Sequence, residues 1–327
     1  MKKFSTCLLW SLAVWLLLSV PVTAQTLRIG TLGLSGQLLP LWVAQDRGIF
    51  AQYGFKTEVI TFQGGVPAIQ ALLAGEIQFA ATGGAPGVNA KLSGADIIAI
   101  AEWINTIPYM LVVRQDIDKL DRLKGKKIAI SRFGSLAHYA VRLALSGAGL
   151  NPEKDVQILQ VGNESVRLTA LMQKTVDATI LTPPTNLVAR NMGFRVLASL
   201  QELGIKYSFD HIFVLKDYAT RNRDNVIRFL KAFLHGIAYM KSHRSESVES
   251  LRKWLRLNDQ EALEESYRIF VEIIPARPRG SEEGWKNLLD SIGSPNPKVK
   301  SLESKDLFDY SFLNEIERSG FIDGLYK

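Results

Sequence analysis

Residues 57–103, TEVITFQGGVPAIQALLAGEIQFAATGGAPGVNAKLSGADIIAIAEW, alternate β-branched or apolar runs with segments of helical spacing. The apolar runs predict three strands, at 57–62, 77–81 and 97–103. The segments between them predict helices at 67–74 and 86–92. Upstream, the pattern already begins with a strand at 27–31 and helical spacing from Pro40 to Ala51. Strands that alternate with helices form βαβ units around a parallel sheet, so this part of the chain predicts an α/β fold.

The same order of elements returns further along the chain. An offset of 99 residues carries Gly94 onto Gly193, and Ala90-Lys91 onto Ala189-Arg190. Predicted strands lie at 127–131, 156–161, 176–181 and 195–200, with helices at 136–146, 166–173 and 187–192. This period is far above the roughly 20 to 50 residues of solenoid repeats. The pattern therefore predicts two similar α/β lobes.

Two lobes in one chain need connections, and two apolar runs are suited to that role. Residues 108–113 follow the first lobe, and residues 210–215 follow the second and lead back. The helical spacing over 225–242 and 263–274 then predicts a tail that packs onto the first lobe. We expect a discontinuous first lobe, 26–110 plus 214–327, and a second lobe, 111–213. Two connecting segments make a hinge, whose functional use is closure around a ligand in the cleft between the lobes.

The first residues have the three parts of a secretory signal. Lys2 and Lys3 precede an apolar run over 8–20, and Val22-Thr23-Ala24 offers small residues for cleavage. The apolar run has about 13 residues, against roughly 20 needed to span a bilayer. The sequence thus predicts a signal peptide, 1–24, that is cleaved after Ala24, and a periplasmic location for the remaining chain.

The composition narrows the class of protein further. The chain is 47% hydrophobic and 22% charged, as globular proteins are, and its formal net charge of +7 comes from basic residues interleaved with acids. Its single cysteine, Cys7, lies in the predicted signal, which excludes a disulfide scaffold. We find no Ser-His-Asp signature and no metal-ligand spacing. We therefore expect a monomer that is not an enzyme and that binds no cofactor, metal or nucleic acid.

Loops at the carboxyl ends of parallel strands form the ligand site of such sheets. Here these loops are rich in glycine and open helices, whose first N–H groups are unpaired and whose dipole favours negative charge. Several helix ends in one cleft predict a site for an anion or a carboxylate. The alternative is that the glycines and prolines only make ordinary turns. The residues predicted from these loops are Ser35, Gly64, Gly65, Gly83, Gly84, Ala85, Gly134, Ser135, Thr182 and Pro183.

Side chains near these loops suggest the character of the ligand. Leu34, Trp103 and Phe133 are candidates for an apolar or aromatic wall. Arg132 is placed to hold an acidic group, and His138 lies in the first turn of its predicted helix. Each has a plainer interpretation: Trp103 as a core residue, and Arg132 and His138 as solvated surface residues.

Three segments resemble the nitrate/sulfonate/taurine-type substrate-binding proteins of ABC transporters. They are 41–50 (LWVAQDRGIF), 71–80 (ALLAGEIQFA) and 123–129 (LKGKKIA), and Gln78 stands where the family usually has Asp. The resemblance implies a type II periplasmic-binding-protein fold, a small-molecule ligand, and a membrane permease with its ATPase as partners. It also implies ligand contacts at Gly64-Gly65, Gly83-Gly84 and Gly134-Ser135.

The expected function is capture of a small anionic or acidic organic solute for an ABC importer, by closure of the two lobes. Two alternatives stay open. One is a periplasmic module that presents its ligand to a receptor. The other is a protein that binds or processes a thiamine-pyrimidine precursor, since the resembled family includes such proteins.

Overall fold

The computed structural model describes residues 25–203, 206–292 and 297–327. The predicted signal peptide, 1–24, lies outside these residues. The described chain forms two five-stranded sheets, each covered by helices. No helix among the described residues is both long enough and apolar enough to cross a membrane.

The strands of the first sheet lie in the order β2-β1-β3-β10-β4, and those of the second in the order β7-β6-β8-β5-β9. Their bounds are β1 Gln25–Thr31, β2 Phe55–Thr61, β3 Phe79–Gly83, β4 Ile97–Ile104, β5 Met110–Val113, β6 Lys127–Ile130, β7 Gln157–Gln160, β8 Ala178–Leu181, β9 Arg195–Ser199 and β10 Asp210–Leu215. The two sheets therefore repeat one arrangement, as the sequence periodicity predicted.

The crossing strands are antiparallel to their neighbours, so both sheets are mixed. Strand β10 lies between β3 and β4 and runs opposite to both, and β5 lies in the same way between β8 and β9. Each crossing strand enters its sheet from the other lobe, so its direction is reversed. The predicted lobe boundaries, 110/111 and 213/214, fall inside β5 and β10.

Fifteen α-helices lie within the described residues. They are α1 Leu39–Asp46, α2 Ile49–Gln52, α3 Gly65–Leu73, α4 Gly84–Leu92, α5 Leu136–Gly147, α6 Glu164–Met172, α7 Thr185–Asn191, α8 Lys216–Arg221, α9 Arg223–Ser242, α10 Arg244–Leu255, α11 Gln260–Ile273, α12 Glu282–Ile292, α13 Ser304–Leu307, α14 Ser311–Arg318 and α15 Phe321–Gly324. The single helix predicted from Pro40 to Ala51 is two helices, because Gly48 adopts a left-handed φ of 65° between them.

Helices of the tail after β10 pack against elements of the first lobe. The ring of Phe229 in α9 stacks on Phe79 in β3, with centroids 3.8 Å apart. The Trp254 ring of α10 stacks on Trp42 of α1 at 5.5 Å. Both contacts join aromatic rings from distant parts of the chain, so the tail is held by the core of the first lobe.

A buried polar cluster, here called the hinge cluster, links β4 to the start of β10, the segment that returns from the second lobe. Ser208, which precedes β10, donates from its hydroxyl to Glu102 Oε2 of β4 at 2.5 Å. The His211 ring lies 2.8 Å from the same hydroxyl, and all three residues are buried. The backbone N–H of Ser208 also donates to the carbonyl of Gly284 in α12, at 3.1 Å. The hinge is thereby anchored to the C-terminal helices.

Helix α9 packs on α1 through a position that tolerates no side chain. A Cβ on Gly236 would collide with the Pro40 carbonyl oxygen and would lie 3.0 Å from the Ala44 Cβ. We expect Gly236→Ala to lower the free energy of unfolding by about 1–3 kcal/mol, the usual cost of overpacking. Urea unfolding measures this change.

Gly147→Ala is the matched control, because a Cβ there would meet nothing within 4 Å. Alanine in a helix is favoured over glycine by up to about 1 kcal/mol, so this variant should be as stable as the wild type or slightly more stable. Equal stabilities for the two variants would contradict the packing assigned to Gly236.

Candidate functional site

A small cavity lies between the two lobes, at the carboxyl ends of the parallel strands. Its volume is about 20 Å³. Since about 10–15 Å³ is enough for one water molecule, the cavity has room for a compact group of a few atoms. The residues that line it are Leu32, Gly33, Leu34, Ser35, Gly64, Gly65, Thr82, Gly83, Pro86, Tyr109, Ser131, Ser135, Leu136, Ala137, Asn163, Glu164 and Arg167.

Four helices begin at this cavity, two from each lobe. The N-cap residues of α3, α4, α5 and α6 are Gly64, Gly83, Ser135 and Asn163, and all four line the cavity. Each helix has nine or more residues. The positive ends of their dipoles therefore favour negative charge at one point, as in anion sites built from backbone N–H groups.

The helix ends of the two lobes differ in how they are capped. In the second lobe, Ser135 Oγ accepts from the His138 N–H, and the Asn163 side chain accepts from the Val166 N–H. In the first lobe, the glycine caps have no side chain to offer. Gly64 has a φ of 110°, a conformation that glycine adopts without strain. The first turn of α3 is therefore without a side-chain cap, whereas the Gly84 N–H at the start of α4 donates to the Phe209 carbonyl at 2.8 Å.

Hydroxyl groups supply further donors in the wall of the cavity. Ser131 Oγ donates to Ser135 Oγ at 2.8 Å. The Thr82 hydroxyl is buried and has no hydrogen-bond partner within the described residues. A buried hydroxyl without a partner is costly, so a ligand oxygen at Thr82 would remove that cost.

One buried ion pair, between Glu164 and Arg167, lies in the cavity wall. Thr182 donates to the Glu164 carboxyl from its backbone N–H, at 3.1 Å, and from its hydroxyl, at 3.0 Å. Arg167 Nη2 is 3.8 Å from Glu164 Oε1. Burial raises the pKa of Glu164, and the Arg167 charge and the Thr182 donors oppose that rise.

Arg167 is also committed to the scaffold of the second lobe. Its guanidinium donates to the Thr179 hydroxyl at 3.2 Å, to the Gly162 carbonyl at 2.9 Å and to the Ile180 carbonyl at 2.8 Å. These bonds join the start of α6 to β8. Arg167 thus holds the cavity wall in place and brings a positive charge to it.

A second buried carboxyl group lies near the cavity. Asp210 begins β10 opposite Gly83, is fully buried, and has no hydrogen-bond partner for either oxygen among the described residues. Burial raises its pKa well above the usual range, and the charges of Glu102 and Glu164 raise it further. The raised pKa favours the neutral form of Asp210, which would not repel an anion.

Direct contacts between the lobes keep the cavity closed. The Ser35 hydroxyl of the first lobe lies 2.5 Å from the Thr182 hydroxyl of the second, and Thr182 in turn donates to Glu164. Asn89 Nδ2 donates to the Tyr139 hydroxyl at 3.2 Å. Closure thus connects Ser35 to the buried ion pair through one chain of hydrogen bonds.

The structure brings six of the predicted site residues together in the cavity wall. These are Leu34, Ser35, Gly64, Gly65, Gly83 and Ser135. Thr182 and Pro183 lie beside it at the contact between the lobes, where Thr182 bonds Ser35 and the Pro183 carbonyl faces Gly36. Whether these residues contact a ligand stays a prediction.

Four other predicted residues lie elsewhere. Trp103 is a core residue: its indole is 1% exposed, donates to the Gln37 carbonyl at 2.9 Å and packs against Phe233. Gly84 and Ala85 are buried behind the cavity, where Gly84 faces His211 and the Ser208 carbonyl. The half-buried Arg132 does not line the cavity.

The last three predicted residues lie at the cleft mouth in the second lobe. Phe133 is 55% exposed, and Phe133 and Gly134 line a separate groove outside the cavity. His138 packs its ring edge-to-face against Phe133 at 5.3 Å. Its Nδ1 accepts a hydrogen bond from the Gly134 N–H at 3.2 Å, so this histidine shapes the loop before α5.

Sequence reasoning missed several residues of the cavity wall, among them Thr82, Tyr109, Ser131, Asn163, Glu164 and Arg167. Asn163 carried a usable signal, because Asn is a preferred N-cap residue and here follows a predicted strand. Glu164 and Arg167 carried none, since charged residues in the first turn of a helix are usually solvated.

The pKa of His138 gives a test of its place in this loop. Burial lowers the pKa to about 4, and the nearby Arg142 charge adds to the effect. An unfolded histidine has a pKa of about 6.5, so the unfolded chain takes up the proton first as the pH falls. The stability that neutral His138 contributes is present above about pH 6.5 and is lost as the pH falls toward 4.

We therefore expect the free energy of unfolding to fall less steeply between pH 7 and pH 4 in His138→Gln than in the wild type. Urea unfolding across this range measures both slopes, and NMR should place the ring titration near pH 4. Identical slopes, together with a titration near 6.5, would show that His138 is solvated.

Comparison with known proteins places the chain in a family. A family model described as NMT1/THI5 like matches residues 35–247, about two thirds of the chain. The chain belongs to the NMT1/THI5-like family. The match covers the first-lobe strands from β2 on, the whole second sheet and the start of the tail.

Related proteins agree with this placement. A candidate aliphatic sulfonates-binding protein of Bacillus subtilis is 27% identical over 226 residues, which are 67% of each chain. A candidate ABC transporter periplasmic binding protein of Brachyspira hyodysenteriae is 25% identical over 280 residues, 81% of this chain and 79% of that one. The match to another relative, the candidate binding protein YtlA of Bacillus subtilis, covers 64% of that relative's length.

The fold matches solved structures of periplasmic binding proteins. The periplasmic aliphatic sulphonate binding protein SsuA from Escherichia coli superposes with a TM-score of 0.67 at 23% identity, over 86% of this chain and 91% of that one. NMT1/THI5-like membership and this likeness give the chain the two-lobed periplasmic-binding-protein fold.

Proposed function

We propose that this protein is the periplasmic substrate-binding component of an ABC importer and that it captures a small anion by closing its two lobes. The observation that carries the proposal is the convergence of four helix N-termini, two from each lobe, on one small cavity. An anion there completes a site that neither lobe supplies alone. Ligand binding therefore favours the closed form.

The charges around the cavity support an anionic head group. Arg167 brings a buried positive charge, and the raised pKa of Asp210 favours the neutral form of that carboxyl. Glu164 is tied to Arg167 and Thr182. The relatives whose names mention aliphatic sulfonates and ABC transport support the same ligand class and partner.

We also propose that the protein binds its ligand without converting it. Among the described residues of the cavity wall there is no histidine, lysine or cysteine to serve as a base or nucleophile. Ser131 and Ser135 bond to each other rather than to a base. We also propose a monomer with the lobe boundaries given above, exported by cleavage after Ala24, whose closed form docks on the permease of the importer.

A thermal-shift panel tests the function. The protein lacking residues 1–24 is melted with nitrate, methanesulfonate, taurine, acetate, benzoate and a neutral pyrimidine at increasing concentrations. A ligand at 100 times its Kd stabilises the folded state by about 2.7 kcal/mol, which raises the melting temperature. We expect saturable shifts from anions and none from the neutral pyrimidine. Shifts from neutral compounds alone would contradict the anion site, and chemical turnover of a bound compound would contradict the assignment as a binding protein.

A further inference from the structure

A polar contact joins the two lobes away from the cavity, between the end of α7 in the second lobe and the start of α11 in the first. Asn191, the last residue of α7, donates from Nδ2 to Asp259 Oδ2 at 2.9 Å. Asp259 is the N-cap of α11, and its other oxygen, Oδ1, accepts from the Ala262 N–H at 3.0 Å. This carboxylate therefore caps its own helix with one oxygen and reaches the other lobe with the second.

Charges of opposite sign face each other at the same contact. Arg190 of α7 lies close enough to the carboxylates of Asp259 and Glu265 in the first lobe for its charge to stabilise both. Hydrogen bonds from the Ala262 N–H and from Asn191 lower the pKa of Asp259, and the Arg190 charge adds to the effect. We call Arg190, Asn191 and Asp259 the interlobe bridge.

The two helices are separated beside the interlobe bridge. An open groove of about 430 Å³ lies between them, and its walls include Leu187 and Arg190 of α7 and Glu261, Glu265 and Arg268 of α11. Since an open groove buries little apolar surface, packing contributes little to the attraction between these helices. Polar contacts of the bridge therefore hold this side of the two lobes together.

The interlobe bridge is connected to the cavity through the segment that leads into α7. Thr182 contacts Ser35 of the first lobe beside the cavity, and α7 begins at Thr185. The Asn186 N–H donates to the Thr182 carbonyl at 3.2 Å, which fixes the start of the helix to this loop. The movement that makes the Ser35–Thr182 contact therefore also forms the bridge.

We propose that the interlobe bridge is a latch, which stabilises the closed form from outside the ligand site and changes the affinity for every ligand by the same factor. This rests on the proposed function. The apparent affinity of a ligand that requires the closed form is scaled by the population of that form. Because exposed polar contacts stabilise only weakly, the latch favours closure and still lets the lobes separate to release the ligand.

Two variants remove the interlobe bridge and keep the helices capped. Asn191→Ala removes the donor. Asp259→Ser removes the charge and the acceptor, but it leaves a hydroxyl oxygen at the start of α11, where serine is among the preferred N-cap residues. Asn258→Ala is the matched control, because Asn258 is exposed, precedes Asp259 and is not part of the bridge.

Disulfide trapping measures closure in the absence of any ligand. Ser35→Cys and Thr182→Cys place two thiols where the hydroxyls of the two lobes lie 2.5 Å apart. The single native cysteine, Cys7, lies in the predicted signal peptide, so the protein lacking residues 1–24 carries no other thiol. At a fixed oxidant concentration, the rate of disulfide formation follows the population of the closed form.

We expect Asn191→Ala and Asp259→Ser each to slow trapping about two- to tenfold, as the loss of one hydrogen bond would. The double variant should be no slower than the slower single variant, because both remove the same bond. Asn258→Ala should be trapped as fast as the wild type. Unchanged rates in both bridge variants would overturn the latch and leave the anion site standing.

Calorimetry with nitrate and with butanesulfonate, on proteins without the added cysteines, tests whether all affinities change together. Each bridge variant should weaken both ligands by one factor, about two- to tenfold. A loss confined to one ligand would overturn the latch, since it would mean that the bridge acts on the ligand itself. Binding of neither anion to any protein would overturn the proposed function, whereas the trapping rates would still decide whether the bridge stabilises the closed form.

Discussion

Gly83→Ala weakens anion binding about 5- to 150-fold and leaves each lobe folded. A Cβ on Gly83 would lie 2.9 Å from both Cβ and Cδ2 of Leu136, closer than atoms can pack. Gly83 ends β3 in the first lobe, and Leu136 begins α5 in the second. Relief of the collision therefore requires the lobes to separate, which moves the equilibrium away from the closed form.

The size of the effect follows from the usual cost of overpacking, about 1–3 kcal/mol. We expect this cost to destabilise the closed form rather than the fold of either lobe. The backbone of Gly83, with φ −60° and ψ 154°, accepts any residue, so alanine adds no strain of its own. Calorimetry with the sulfonate that gives the largest thermal shift measures the loss. Scattering in the presence of that ligand should show a larger radius of gyration than in the wild type.

Two controls separate closure from folding. Gly147→Ala should bind as the wild type does, since its Cβ meets nothing. Adding Leu136→Ala to Gly83→Ala removes part of the collision and should restore part of the affinity. Wild-type affinity in Gly83→Ala would show that this contact does not form on closure. A large fall in the free energy of unfolding would place the defect within the first lobe.

The neighbouring glycine should behave differently. A Cβ on Gly84 would lie 2.7 Å from the His211 ring and 2.8 Å from the Ser208 carbonyl oxygen. Ser208 and His211 both belong to the hinge cluster, which is fixed to Glu102. Substitution at Gly84 is thus expected to damage the hinge itself, so Gly83 is the position that tests closure.

Arg167→Met lowers the free energy of unfolding by about 3–5 kcal/mol. The variant leaves Glu164 buried without its partner and leaves the Gly162 and Ile180 carbonyls without their donor. Removal of one member of a buried ion pair typically costs this much, because the remaining charge stays desolvated. Urea unfolding followed by circular dichroism measures the change.

An exposed ion pair of the second lobe provides the control. Arg122 pairs with Asp118 at 3.2 Å, and its side chain is 58% exposed. Arg122→Met should cost less than about 1 kcal/mol, as exposed pairs do. The double variant Glu164→Gln/Arg167→Met should be more stable than Arg167→Met alone, since no uncompensated charge is left buried. If Arg122→Met and Arg167→Met cost the same, the buried pair does not stabilise the second lobe.

Much of the architecture is encoded locally. The alternation of apolar runs and helical spacing depends on neighbouring residues only, so it predicted the strands and helices of both lobes. The glycine-rich loops after β2 and β3 indicated where α3 and α4 begin, because glycine permits the backbone conformations that a turn into a helix requires. The apolar runs at 108–113 and 210–215 indicated a two-segment hinge, because one run follows each lobe along the chain.

Tertiary structure decided what the side chains do. Every residue of β4 is buried, so alternation could not tell whether Trp103 faces the core or the cleft. Its partner Gln37 lies 66 positions away in the chain, and the Ser35–Thr182 contact spans 147 positions. Such contacts exist only after the two sheets have formed and closed on each other. The sequence by itself determined two α/β lobes with glycine-rich helix starts; the three-dimensional packing alone decided that four of those helices meet at one small cavity, since burial and distance between remote residues are properties of the folded chain.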